Sequence, residues 1–301
     1  VLLAMFPLIV LQRWAATRRN YAVVSGKYQS RIVHLNAWRW PAFFIVAAIV
    51  LVMSLLPLGL LLVGSIMKLF GFFGLAQMWT LDHWRDAFAD VTFTQAFWNM
   101  LTLGIGTAVA AACAYVVVAY CAVRLKTRWQ AAIDILSWLP ISIPGIVLGF
   151  GYLFMVIQVP IFAPIYGTIW VMILVSFLSA MTLGVQVIKV HMLQLGAEIE
   201  EAARLAGASW LSAFCRVILP LTAPAVSVVA VLVFAATIRQ IGLVILLSTG
   251  ETRPLAVLQL DFLADGRLGP AAVIGVIIVL ISLIAAALVR IISVRFGVRA
   301  N

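Results

Sequence analysis

Apolar residues in this chain come in long blocks rather than in strict alternation. At 1.5 Å of rise per residue, six blocks are long enough to cross a hydrocarbon layer about 30 Å thick. They cover 41–67, 97–123, 131–156, 165–188, 224–248 and 271–292. The pattern predicts six membrane helices and an all-α, polytopic fold. The apolar run 1–11 is too short to span and reads as the tail of a preceding membrane helix. A cleaved leader is the other reading, although neither a basic start nor a small-residue cleavage site is visible. The polar stretches define a linker at 12–40, a loop at 189–223 and a tail at 293–301.

The loop is the most organised polar segment. Glu198, Glu200 and Glu201 crowd what reads as a first helical turn, where carboxylates are stabilised by unpaired backbone N–H groups. Leu195, Ile199, Ala202, Ala203 and Ala206 form an apolar stripe, with Glu200 and Arg204 spaced to pair on the wet side. Gly207 suits a left-handed cap, Ser209 suits an N-cap, and Pro220 is expected to stop the second helix. The prediction is a stiff knob of two short helices. Between the first two spans, Thr80 and Asp82 start a short helix carrying Leu81, Trp84 and Phe88 on one side. It serves either as a docking element or as an interfacial anchor with Trp79 and Trp98.

Composition and charge sharpen the membrane reading. Apolar residues make up 65% of the chain and charged residues 10%. Segments 12–39, 124–130, 189–223 and 290–301 hold fifteen of the 20 Lys and Arg residues, so the positive-inside rule places the knob and the C-terminus in the cytoplasm. The net charge of +10 then reflects topology and anionic lipid, and no nucleic-acid partner is implied.

Chemistry within the spans is sparse. The third span carries Pro140, Pro144, Gly145, Gly149 and Gly151; proline kinks a helix, and Gly145 with Gly149 lets another helix approach. The segment serves either a moving pathway or plain packing. Arg239 is the strong charge inside a span, and either meets substrate or a gate, or bonds a nearby carbonyl and snorkels outward. Asp134 suits the start of its helix. His34, His83 and His191 are scattered, and Cys113, Cys121 and Cys215 read as small apolar fillers, so no metal site or disulfide framework is expected. The chain has no GxxxxGK[ST] loop to cradle a nucleotide.

One motif is specific. Glu201, Ala202 and Ala203 are followed by three residues, Gly207, nine residues, and Val217, Ile218, Leu219 and Pro220. This resembles the cytoplasmic signature of permease subunits of binding-protein-dependent ATP-binding-cassette importers, which reads EAA, three residues, Gly, nine residues, then I-x-L-P. Val217 replaces the first Ile with another β-branched residue. The linker segment Tyr21–Lys27, YAVVSGK, resembles the linker of fused ferric-iron-type permeases before their second six-helix half. Gln240 stands where related iron-type permeases often carry an acidic residue.

The resemblance implies the type I importer transmembrane fold and alternating access. It implies that Glu201, Ala202, Ala203, Gly207, Leu219 and Pro220 form the surface that couples to a separate ATPase. Pro144, Gly145, Gly149, Arg239 and Gln240 are the candidate pathway or gating residues. This chain itself would catalyse no reaction and hold no cofactor, with ATP and Mg²⁺ used by the ATPase subunits. The implied partners are that ATPase, a periplasmic binding protein, a second permease half and membrane lipid. Two rivals stand beside this: an ion-coupled secondary transporter, which calls for several ionisable groups at mid-membrane depth, and a non-transporting membrane scaffold. The cargo, with ferric iron among the candidates, is not coded in the sequence.

Overall fold

The computed structural model describes residues 36–69, 71, 77–125 and 128–295. The run 1–11, the linker up to residue 35 with its YAVVSGK segment, His34 and the end of the tail lie outside them. The chain divides into two units at Val63 and Gly64. Up to that point lies most of α1 (Arg39–Ile66), an apolar helix whose side chains, Phe43, Ile49 and Met53 among them, are exposed.

The second unit begins with α2 (Asp82–Ala89) and α3 (Val91–Arg124). Thr80 starts α2 by accepting the Asp82 N–H at 3.0 Å. Asp90 closes one helix and opens the next: its N–H bonds the Asp86 carbonyl at 3.0 Å, while its carboxylate accepts the Thr92 N–H at 2.7 Å. The corner is therefore made by one residue with extended backbone. Among the described residues, strand-like pairing is confined to one bridge between Met67 and Trp79.

The third apolar block is not one straight helix. α4 (Arg128–Trp138) leads into a short turn at Pro140–Ser142, and α5 (Gly145–Gln158) leaves it after a bend of 107°. Ile143, ahead of a proline, is held extended at φ −113° and ψ 127°, which no helix can continue through. Asp134 sits in the second turn of α4 rather than at its start, and it pairs with Lys189 of α6 (Ile169–Gln194).

The fifth block also departs from expectation. α8 (Trp210–Thr237) begins inside the loop and ends well before residue 248. Pro220 does not stop it. A wide turn at Phe214–Ile218, in which the Leu219 N–H reaches the Phe214 carbonyl, shifts the hydrogen-bond ladder just ahead of the proline. Beyond Thr237 the chain runs in turns, with Ile238, Leu243, Val244 and Leu247 all buried. The apolar character of that stretch reflects burial in protein, which hydropathy alone does not separate from a helix. The segment then enters α9 (Leu255–Ala264), a short apolar helix that the pattern did not suggest, and α10 (Leu268–Arg295).

α3 is the central post. Tyr115 is fully buried, donates to the Phe177 carbonyl of α6 and stacks on the Phe177 ring at 5.0 Å. Gly184 of α6 makes room for it, since a Cβ there would fall on the Tyr115 ring. Around α3 the buried side chains form three clusters. One joins its start to α2, α9 and α10; one joins its later half to α6 and α8; the third joins it to α5, α6 and the turns after α8.

Candidate functional site

The loop folds as a knob. Glu198 and Glu200 lie in the first turn of α7 (Ala197–Leu205), and Arg204 in its last. Gly207 has φ +90°, a left-handed conformation in which any Cβ is strained. Around it the Ala208 N–H reaches the Ala203 carbonyl at 3.1 Å and the Gly207 N–H reaches Arg204 at 3.0 Å. This is a Schellman ending, which gives the Ala203 and Arg204 carbonyls partners within the chain. Ser209 then caps α8 by accepting the Ser212 N–H at 3.3 Å.

The knob is oriented differently from the sequence expectation. Glu200 does not pair with Arg204 on a wet face; it is buried, 8% exposed. The Tyr120 hydroxyl donates to Glu200 Oε1 at 2.7 Å, the Trp210 indole donates to the Tyr120 hydroxyl at 2.9 Å, and Arg124 Nε lies 3.7 Å from Oε2. Arg124 also donates to the Leu195 carbonyl at 2.8 Å. The end of α3 therefore holds the knob by a chain of polar contacts. Trp210 stacks on Phe214, which meets the Tyr120 ring edge-on, so aromatic contacts back the polar ones.

With Glu200 turned inward, Ile199, Ala202 and Ala206 of the apolar stripe face outward, while Leu195 is half-buried. Ile199, Glu201, Ala202, Leu205, Ala206 and Gly207 are all exposed, Leu205 at 89%. Ala203 is half-buried beneath them. The result is an apolar patch flanked by the exposed carboxylates of Glu198 and Glu201, on a capped helix tied to the end of α3. Beside it a polar cavity of about 280 Å³ is lined by Tyr120, Arg124, Glu200, Glu201, Arg204 and Trp210. Leu219 is half-buried and Pro220 exposed, both on α8 past the wide turn.

Tyr120, Arg124, Glu200 and Trp210 were not singled out from the sequence as one group. A signal was present: successive helical residues point about 100° apart, so Glu200 and Glu201 face different directions on the knob. Tyr120 and Arg124, spaced i and i+4 at the end of α3, offered the matching partners.

The pathway candidates divide into three. Gly149 packs against backbone, not against another helix: a Cβ there would lie 2.6 Å from the Leu243 carbonyl oxygen. Gly145 faces the Leu243 backbone more loosely, and Pro144 is the exposed first residue of the bend. Arg239 folds back, its Nε donating to the Ala235 carbonyl at 2.8 Å, and is exposed. Gln240 turns the other way and donates to Ser179 of α6 at 3.4 Å.

Over residues 114–298 the sequence matches the family described as binding-protein-dependent transport system inner membrane component. The chain belongs to this family. Its match spans the whole knob as well as α4–α10. Among relatives of the transport system component, a ferric transport system permease protein FbpB of Actinobacillus pleuropneumoniae is 24% identical over 277 residues, 91% of this chain. The Fe(3+)-transport system permease protein FbpB 2 of Haemophilus influenzae is 24% identical over 191 residues, 63% of this chain. The chain spans 39% of the length of the first relative and 37% of the second. The fold is similar to that of a chain in a bacterial ABC transporter involved in the import of the acidic polysaccharide alginate, with a TM-score of 0.69 at 16% identity over 86% of this chain and 96% of that one. A second alginate transporter structure, in complex with a pentasaccharide-bound periplasmic protein, gives 0.68 at 17% identity over 86% and 95%. The fold is thus that of ABC importer permease domains.

Proposed function

We propose that this chain is the pathway-forming part of an ATP-driven importer, working with a separate ATPase, a second permease half and a periplasmic binding protein. One observation carries the reading: the knob bearing the family signature turns its apolar face and Glu201 outward, while Glu200 anchors it inward. An exposed apolar patch on a rigid, capped helix calls for a protein partner. In this account the knob lies in the cytoplasm, the ATPase receives Leu205, Ala202 and Glu201, and its ATP-driven movement reaches the spans through α3 and α8. Mg²⁺ and ATP belong to that partner.

The relatives named as ferric permeases make ferric iron the first cargo to assay. The secondary-transporter reading gives the outward face of α7 no partner, and the scaffold reading makes it a plain docking surface. Co-purification from solubilised membranes tests the proposal. Wild type is expected to bring down an ATP-binding-cassette ATPase, and a Leu205→Asp, Glu201→Arg double variant to lose it while still inserting in the membrane. Equal recovery of the ATPase from both would contradict the assignment of this face.

A further inference from the structure

α4 buries little of its own surface. Among its described side chains only that of Ser137 is buried, and the apolar Ala132, Ile133 and Ile135 are half-buried. α6, against which it lies, buries Val171, Met172, Val185 and Ile188. Two polar contacts join this pair of helices. The Lys189 ammonium donates to the Asp134 carboxylate as an ion pair, and the Gln186 amide donates to the Ser137 hydroxyl at 2.9 Å. Ser137 spends its own hydrogen on the Asp134 carbonyl at 2.7 Å, which leaves its oxygen free to accept from Gln186. Positions 134 and 137 are one turn apart on α4, and their partners 189 and 186 are one turn apart in the opposite order on α6. This is a two-rung ladder between antiparallel helices.

Location gives the ladder a use beyond packing. Lys189 lies about one and a half turns before Gln194, where α6 ends, and α7 begins at Ala197. The knob is therefore continuous with the end of α6 that carries the rungs. In the other direction, α4 runs on through Pro140–Ser142 to the 107° bend at Ile143–Pro144. The start of α4 is pinned elsewhere, by the Gln130 amide donating to the Ala122 carbonyl of α3 at 3.0 Å. Asp134 and Lys189 are both largely shielded, at 17% and 19% side-chain exposure. Desolvation offsets much of the attraction in such a pair, so its distinctive effect is to fix which residues meet. Apolar side chains of similar size would pack these helices as tightly and leave their register free.

We propose that Asp134, Ser137, Gln186 and Lys189 are positioning residues for transport, which make α4 follow α6 so that movement of the knob reaches the bend of the broken span. The proposal rests on the importer reading for the source of the movement, while the tie between the helices stands on the ladder alone. The rungs stay closed as α4 and α6 move as one body. The yielding points lie at the two ends of α4, at Leu125, which leaves α3 with extended backbone, and at Ile143, held extended ahead of Pro144. None of the four residues belongs to the knob, so loss of the ladder is separable from loss of ATPase docking.

Spin-label distances in the assembled transporter, reconstituted in vesicles, test this whatever the cargo. With the native cysteines replaced, one label pair spans the ladder, at the exposed Leu136 of α4 and Val190 of α6, and another spans the bend, at Leu136 and the exposed Phe154 of α5. Each is measured without nucleotide and with ATP and vanadate. Four backgrounds are compared: wild type, Lys189→Gln, the exchange Asp134→Lys with Lys189→Asp, and the apolar pair Asp134→Leu with Lys189→Met. In wild type the ladder distance is expected to be narrow and the same in both conditions, while the bend distance shifts with nucleotide. Lys189→Gln is expected to broaden the first and cut the second shift to less than about half, and the exchange to restore both. The apolar pair is expected to keep wild-type thermal stability and ATPase co-purification yet lose the shift, which a merely structural role would not produce. A full shift in the apolar pair, no recovery in an exchange protein that still binds the ATPase, or a ladder distance that changes with nucleotide in wild type would overturn the proposal. Absence of an ATPase from purified wild type would instead remove the importer reading, and the ladder distance without nucleotide would still report whether the rungs tie α4 to α6.

Discussion

Glu200 and Glu201 are sequence neighbours in opposite surroundings, one bonded to Tyr120 and Arg124, the other exposed. They are expected to fail in different ways. Glu200→Ala strands a buried tyrosine hydroxyl and a half-buried guanidinium, at a cost of about 1–3 kcal/mol to the seating of α7. Hydrogen exchange over residues 197–206 checks this, with faster exchange expected for Glu200→Ala and no change for Glu201→Gln. Substrate-stimulated ATP hydrolysis is expected to fall in Glu201→Gln with the knob still protected. Gly207 is a third case, since its left-handed backbone disfavours any side chain by about 1–2 kcal/mol, and Gly207→Val is expected to loosen the same segment. Gly207 was legible in the sequence because a helix-ending glycine has a local cause. The role of Glu200 was not, because its partners lie 76 and 80 residues away on α3.

At the scale of elements, the two interrupted segments carry the least expected geometry. The bend between α4 and α5 follows from Pro144 and the extended Ile143 before it. Pro144→Ala is expected to relieve that restriction and narrow the bend, which spin labels placed on the two helices would report as a changed distance distribution. An unchanged distribution would place the cause in packing with α6 instead. Gly149 fixes the other side of the contact. Its absent Cβ lets the Leu243 backbone approach, so Gly149→Leu is expected to force the two apart at a cost of about 1–3 kcal/mol, read as a lower unfolding temperature in detergent. Hydropathy located these segments because it reports burial in an apolar surround. It could not separate a helix from the buried turns at 238–248, where backbone packs on backbone and neither period applies. The proline at 220 misled for a related reason: a wide turn one residue upstream had already moved the ladder.

At the largest scale, the second unit is a set of helices gathered on α3, with the capped knob at the end of α3. The knob reaches α3 through Glu200 and Arg124, and reaches α8 directly through Ser209 and Trp210. Movement imposed on the knob therefore has, by these contacts, two routes into the spans, one through α3 and one through α8. The central claim is that the outward face of α7 receives the ATPase while its inward face is closed to any partner. Site-specific photocrosslinking in intact cells tests this most directly, with a photoreactive residue placed at Leu205 in one protein and at Glu200 in another. The account predicts a strong ATPase adduct from position 205 and none from position 200. An adduct from 200 alone, or none from 205 in a transporter still active in uptake, would contradict it.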